Sequence, residues 1–72
     1  MIELRFRRDL YAAAAVDEAA EAFAALAAID RADDDDALVL HVTPRYPKHS
    51  RRILGELRNY ALAKTIDRGG AP

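Results

Sequence analysis

The sequence predicts an α+β fold of order β-α-β-β-α, a three-stranded sheet with two helices on one face. Three observations carry that prediction. Residues 2–7 alternate strictly between apolar and charged; residues 12–27 are alanine-rich with helical spacing; and four consecutive carboxylates, Asp33, Asp34, Asp35 and Asp36, give way abruptly to Ala-Leu-Val-Leu-His-Val. Adjacent like charges resist burial, whereas an apolar run with β-branched members fits a sheet core. The junction therefore reads as a hairpin turn feeding a central strand.

In the first element, Ile2, Leu4 and Phe6 alternate with Glu3, Arg5 and Arg7. A period of two places the apolar side chains on one face and the charges on the other, the pattern of a strand buried on one side only. Residues 12–27 follow as an amphipathic helix, with Ala12, Val16, Ala19, Ala20, Phe23, Leu26 and Ala27 along one stripe. Asp17, Glu18 and Glu21 lie off the stripe, crowded toward the positive end of the helix dipole. Residues 28–32 are a short edge strand that pairs with its successor across the acidic turn. Residues 37–43 form the strongest strand, with Leu38, Leu40 and Val42 on one face and Val39 and His41 on the other.

Pro44 and Pro47 cannot donate to a ladder, so residues 44–49 read as a loop. Ser50 is the expected N-cap of a second amphipathic helix carrying Ile53, Leu54, Leu57, Tyr60, Ala61 and residues 63–66, ending near Asp67 or Arg68 with Gly69 at C′. Gly55 inside this helix marks a point of close packing, since glycine there costs about 1 kcal/mol against alanine. From about residue 69 the chain is a frayed tail. A right-handed crossover after the first strand, followed by the hairpin, puts the strand of residues 37–43 in the centre and leaves the strand of residues 2–7 as an exposed edge.

The 72 residues make one small domain, of a size at which a partner often supplies missing burial. There is no cysteine, which excludes disulfides, thiolate catalysis and Cys-based zinc sites and suits a reducing cytoplasm. With 11 Lys plus Arg against 12 Asp plus Glu, the net charge of −1 gives no general pull toward nucleic acid. The amino-terminal residues lack the apolar core of a signal peptide, and no apolar run is long enough to span a membrane.

Few residues suggest chemistry. A calcium loop beginning at Asp30 would need glycine at its sixth position and glutamate at its twelfth, where Asp35 and His41 stand instead. His41 and His49 are the only histidines and do not have metal-ligand spacing, so His41 reads as a half-buried strand residue. His49 and Ser50 are neighbours without a glycine-rich oxyanion turn, which argues against a nucleophile and base pair. No catalytic residue, metal ligand or cofactor is expected. The one patch with the character of a binding surface is Arg45, Tyr46, Lys48, Arg51 and Arg52, placed before and within the start of a helix whose dipole also attracts anions. The same patch reads equally as a solvated loop balancing the acidic hairpin.

Asp9-Leu10-Tyr11, the helix positions Val16, Ala19, Ala20 and Phe23, the acidic hairpin, Leu38-Val39-Leu40-His41-Val42 followed by Thr43-Pro44, and Glu56-Leu57-Arg58-Asn59-Tyr60-Ala61-Leu62 together resemble the HxsD-like proteins. These are small accessory proteins of His-Xaa-Ser peptide-maturation systems, encoded beside radical S-adenosylmethionine enzymes. The resemblance spans nearly the whole chain, mostly at core positions, with Tyr11 and Asn59 the least generic; the longer C-terminal extension of that family has no counterpart. It implies a noncatalytic, cytoplasmic partner of a maturation enzyme, a precursor peptide or both, and supplies no catalytic residue.

Two surfaces are expected to serve such a role. One is the edge strand, where Arg5 and Arg7 point away from the helices toward an incoming acidic peptide. The other is the patch of Arg45, Tyr46, Lys48, Arg51 and Arg52. A reading from a different class is a self-assembling homodimer, structural or regulatory, touching nucleic acid through Arg51 and Arg52.

Overall fold

A computed structural model describes residues 1–70 as β1 (Ile2–Arg7), α1 (Ala13–Ala22), β2 (Ala27–Arg31), β3 (Ala37–Pro44), a 3₁₀ turn (Pro47–His49) and α2 (Ser50–Asp67). The sheet order is β1-β3-β2 and both pairings are antiparallel. Leu4 and Phe6 of β1 stand opposite Leu40 and Leu38 of β3, and Val42 of β3 stands opposite Ile29 of β2. These side chains share one face and pack with Val16 and Ala19 of α1 and Leu57 and Ala61 of α2 in a single core cluster. Both helices therefore cover the same face of the sheet, as the alternation of β1 and β3 requires.

Aromatic edges close the two sides of that core. The Phe6 ring meets Tyr11 edge-on at 5.0 Å, and Phe23 meets Tyr60 edge-on at 5.9 Å. Such T-shaped pairs align the positive ring edge with the negative ring face. Thr65 is the only buried polar residue among those described, at 2% exposure. Its hydroxyl donates to the Ala61 carbonyl at 2.8 Å and accepts the Ala12 N–H at 3.1 Å, so α2 supplies a partner for the N-cap residue of α1.

The first helix is shorter than its composition suggests. α1 stops at Ala22, and tight turns with Ala24 N–H donating to Glu21 O and Leu26 N–H donating to Phe23 O carry the chain directly into β2. Ala24 and Ala25 offer almost no side-chain volume to hold further turns on the core, whereas β2 gains a full ladder with β3. Leu26 is consequently 37% exposed rather than part of the helical stripe, and Ala27 opens a strand. No acidic residue occupies the first turn of α1. Asp17 instead pairs with Arg31 of β2, and Glu18 with Arg68 at 3.0 Å, so these carboxylates tie the helix to neighbouring elements rather than serving its dipole.

Pro44 belongs to β3, where it stands opposite Ala27, rather than to a loop. Its missing N–H lies on the side facing β1, and β1 already ends opposite Val42, so no ladder bond is forfeited. Residues 47–49 form a 3₁₀ turn, not an irregular loop. Ser50 is the first residue of α2 rather than its N-cap; its hydroxyl donates back to the Pro47 carbonyl at 2.8 Å, and His49 takes the cap position without a side-chain bond. Gly55 is exposed, and a Cβ built on it would meet nothing within 4 Å, so close packing does not explain it.

At the far end, Gly69 has φ +90° and donates to the Ile66 carbonyl, while Gly70 donates to the Thr65 carbonyl at 2.9 Å. This is a Schellman termination, for which a left-handed residue at C′ is required. Gly70 is thus part of the helix ending rather than of a frayed tail; the expected tail at 71–72 lies outside the described residues.

Candidate functional site

The acidic turn is built, not merely solvated. Asp34 Oδ1 accepts the Asp36 and Ala37 N–H groups at 2.9 and 2.8 Å, and Asp33 Oδ1 accepts the Val39 N–H at 2.9 Å. Arg31 grips Asp33 through Nε at 2.9 Å. That hydrogen bond, reinforced by the Val39 N–H, outweighs partial burial and holds the Asp33 carboxyl down at about 2. Asp34 is likewise lowered, first by the Arg5 guanidinium and then by the two backbone donors.

The face of the sheet without helices carries a row of charges. Arg5 of β1 reaches Asp34 at 2.8 Å and lies 3.7 Å from Glu3, which itself lies 3.7 Å from His41 Nε2. His41 is half-buried opposite Glu3. Arg5 also stands directly opposite Val39, which is only 2% exposed although it points away from the helices. Arg7 is engaged by Asp9 at 2.6 Å. Both arginines expected to meet an incoming peptide therefore point away from the helices, but each already has a carboxylate within the chain.

The basic residues of the 44–52 segment are differently placed. Arg45 leans on the Ala24 carbonyl through long contacts of 3.4 and 3.5 Å, and Arg52 pairs with Glu56 at 3.1 Å. Among the described residues, Lys48 and Arg51 have no carboxylate within ion-pair distance. Arg45, Tyr46, Pro47, Lys48 and His49 line an open groove of about 290 Å³, and a second groove of about 230 Å³ runs past Tyr46 and His49 to Leu26, Arg52, Ile53 and Glu56. Tyr46 is 53% exposed between them. The structure thus brings Arg45, Tyr46, Lys48 and Arg52 to one end of the molecule, with Arg51 beside them in the first turn of α2, while Arg5 and Arg7 lie on β1.

Sequence reasoning missed Arg58. From α2 its guanidinium lies 5.0 Å over the Phe6 ring and donates to the Arg5 carbonyl at 3.3 Å. Leu54, one turn before it, was legible on the apolar stripe of the helix, but nothing in the sequence indicated that Arg58 itself lies beside β1.

Among the described residues no group of three or more His, Asp or Glu side chains is arranged to hold a metal ion, and no helix is long and apolar enough to cross a membrane. Compared with protein-family models, curated proteins and solved structures, the chain matches none.

Proposed function

We propose that this chain is a noncatalytic interaction module, a cytoplasmic accessory protein that binds a radical S-adenosylmethionine peptide-maturation enzyme, its precursor peptide or both. The surface that serves this role is the basic end formed by Arg45, Tyr46, Lys48, Arg51 and Arg52. The observation that carries the reading is charge left without compensation: no acidic residue occupies the first turn of α2, while Lys48 and Arg51 stand at the positive end of its dipole. A cation in that position opposes the helix by about 0.3–1 kcal/mol. An acidic segment laid along the grooves would relieve this opposition, and Tyr46 offers it a flat apolar contact. Arg5 and Arg7, by contrast, would have to exchange existing partners.

The double variant Lys48→Glu, Arg51→Glu tests the reading, because it separates folding from binding. Thermal stability should rise, since carboxylates now face the helix start. Binding of the maturation enzyme proposed as partner and of acidic precursor segments, measured by titration at low and high salt, should fall, with the loss largest at low salt. Undiminished binding of both would remove this surface, and a pull-down from the native operon that recovers neither enzyme nor precursor would remove the proposed role.

A further inference from the structure

The backbone of β1 has an unfilled side whose chemistry can be read residue by residue. In β3, the Val39 carbonyl accepts the Ala32 N–H and the Val39 N–H goes to Asp33, so odd-numbered residues of that strand turn their backbone groups toward β2. Antiparallel pairing alternates, so Leu38, Leu40 and Val42 turn theirs toward Phe6, Leu4 and Ile2. It follows that the N–H and C=O groups of Glu3 and Arg5, and the N–H of Arg7, point out of the sheet. Among the described residues only the Arg5 carbonyl has an acceptor role there, toward Arg58 at 3.3 Å, a long bond that exchanges readily.

Both flanks of this edge are furnished. On the helix side, Arg58 reaches the edge from α2; Leu62 follows it by one turn on the same helix row and is 41% exposed although it is a large apolar side chain. On the other side, Glu3 and Arg5 present opposite charges two residues apart.

We infer that the β1 edge takes up an extended peptide as a fourth, antiparallel strand, with the pattern apolar-acidic-apolar-basic-apolar, and that Arg58 releases the Arg5 carbonyl when it does so. The acidic residue lies opposite Arg5 and the basic one opposite Glu3, while the apolar residues lie opposite Phe6, Leu4 and Ile2 and fill the space beside Leu62. Directly opposed charge pairs on neighbouring strands favour this register, and like charges there oppose the reverse one. Because Arg5 already holds Asp34, alternation of charge selects the ligand, rather than net negative charge. The site is separate from the basic end of the molecule, so either can fail without the other.

Ile2-Glu3-Leu4-Arg5-Phe6 itself carries the selected pattern, which makes a second copy of the chain the competing occupant. Two copies joined at this edge would bring both α2 helices, each reaching its own β1 through Arg58, to the same face of one seam, with the like charges of the two Arg58 side chains set against each other. A free peptide brings no helix.

The test is fluorescence anisotropy of the full chain with a labelled, end-capped pentapeptide valine-glutamate-valine-lysine-valine, with its charge-swapped version, and with a version N-methylated at the lysine, whose N–H would face the Glu3 carbonyl. The first should bind, the charge-swapped version about five- to tenfold more weakly, and the N-methylated version not at all. Glu3→Lys with Arg5→Glu should invert the preference between the two charged versions. Arg58→Ala should tighten binding severalfold, with circular dichroism confirming the fold, and hydrogen exchange should show new protection at Glu3, Arg5 and Arg7. Equal affinity for both charge orders, or protection at β2 instead, would overturn the inference. So would a dimer in light scattering of the free chain that the pentapeptide cannot dissociate, because a second copy would then hold the edge.

Discussion

Replacing Asp33 by asparagine probes the acidic turn at one point while leaving its shape intact. The amide oxygen can still accept the Val39 N–H, so the variant removes charge rather than the backbone contact. The magnitude follows from the carboxyl's displacement from 3.8 to about 2, caused chiefly by the Arg31 hydrogen bond. This corresponds to about 2 kcal/mol favouring the ionised folded form before screening; because Asp33 is an exposed residue, solvent screening reduces the net contribution to about 1 kcal/mol. Because the folded value is depressed, the contribution is fully present above the unfolded value of 3.8 and is lost as the pH falls through about 2. At pH 7, Asp33→Asn should lower stability by about 1 kcal/mol, or the melting temperature by about 4–8 °C for a domain of this size. Near pH 2.5 the gap between variant and parent should close to less than about 0.5 kcal/mol. Urea unfolding followed by circular dichroism at both pH values measures it. A gap of the same size at both would refute the assignment of the stabilisation to the charged Asp33 and Arg31 pair.

Three further outcomes can be checked with the same assay. Gly55→Ala should raise stability by about 1 kcal/mol, since the helix position is open on all sides; a loss would mean that something packs there after all. Thr65→Val keeps the volume but strands the Ala12 N–H, and should lower stability by about 1–3 kcal/mol, whereas Thr65→Ser should retain most of it. Gly69→Ala puts a side chain at φ +90° in the Schellman ending and should lower stability by about 1 kcal/mol, with increased amide exchange at Gly70 as the local signature.

The strands and the overall order were legible because their signals come from periodicity. Ile2, Leu4 and Phe6 could share a face in only one register, and Leu38, Leu40 and Val42 had to meet them. The end of α1 was hidden because alanine supports a helix through residue 27 equally well in isolation; only pairing with β3 makes residues 27–31 a strand. Ser50 was misplaced by one position because a 3₁₀ turn precedes α2, and such turns leave little trace beyond Pro47. The basic cluster was visible as composition, but the paired state of Arg5, Arg7 and Arg52 and the unpaired state of Lys48 and Arg51 depend on distances. Arg58 was invisible for the same reason: an arginine on an amphipathic helix looks solvated until the helix is placed beside Phe6.

The position of β3 between β1 and β2 has a consequence for how the chain acquires its structure. β1 is first in order along these residues, yet its sole strand partner follows only after α1 and β2. During synthesis from the amino end, β2 and β3 can close their hairpin locally, whereas β1 must wait with both backbone sides unsatisfied. Such non-local closure slows folding. The waiting segment is also the one most open to pairing with another nascent chain. The charges on Glu3, Arg5 and Arg7 keep it soluble in that interval, before any of them has a folded neighbour to hold.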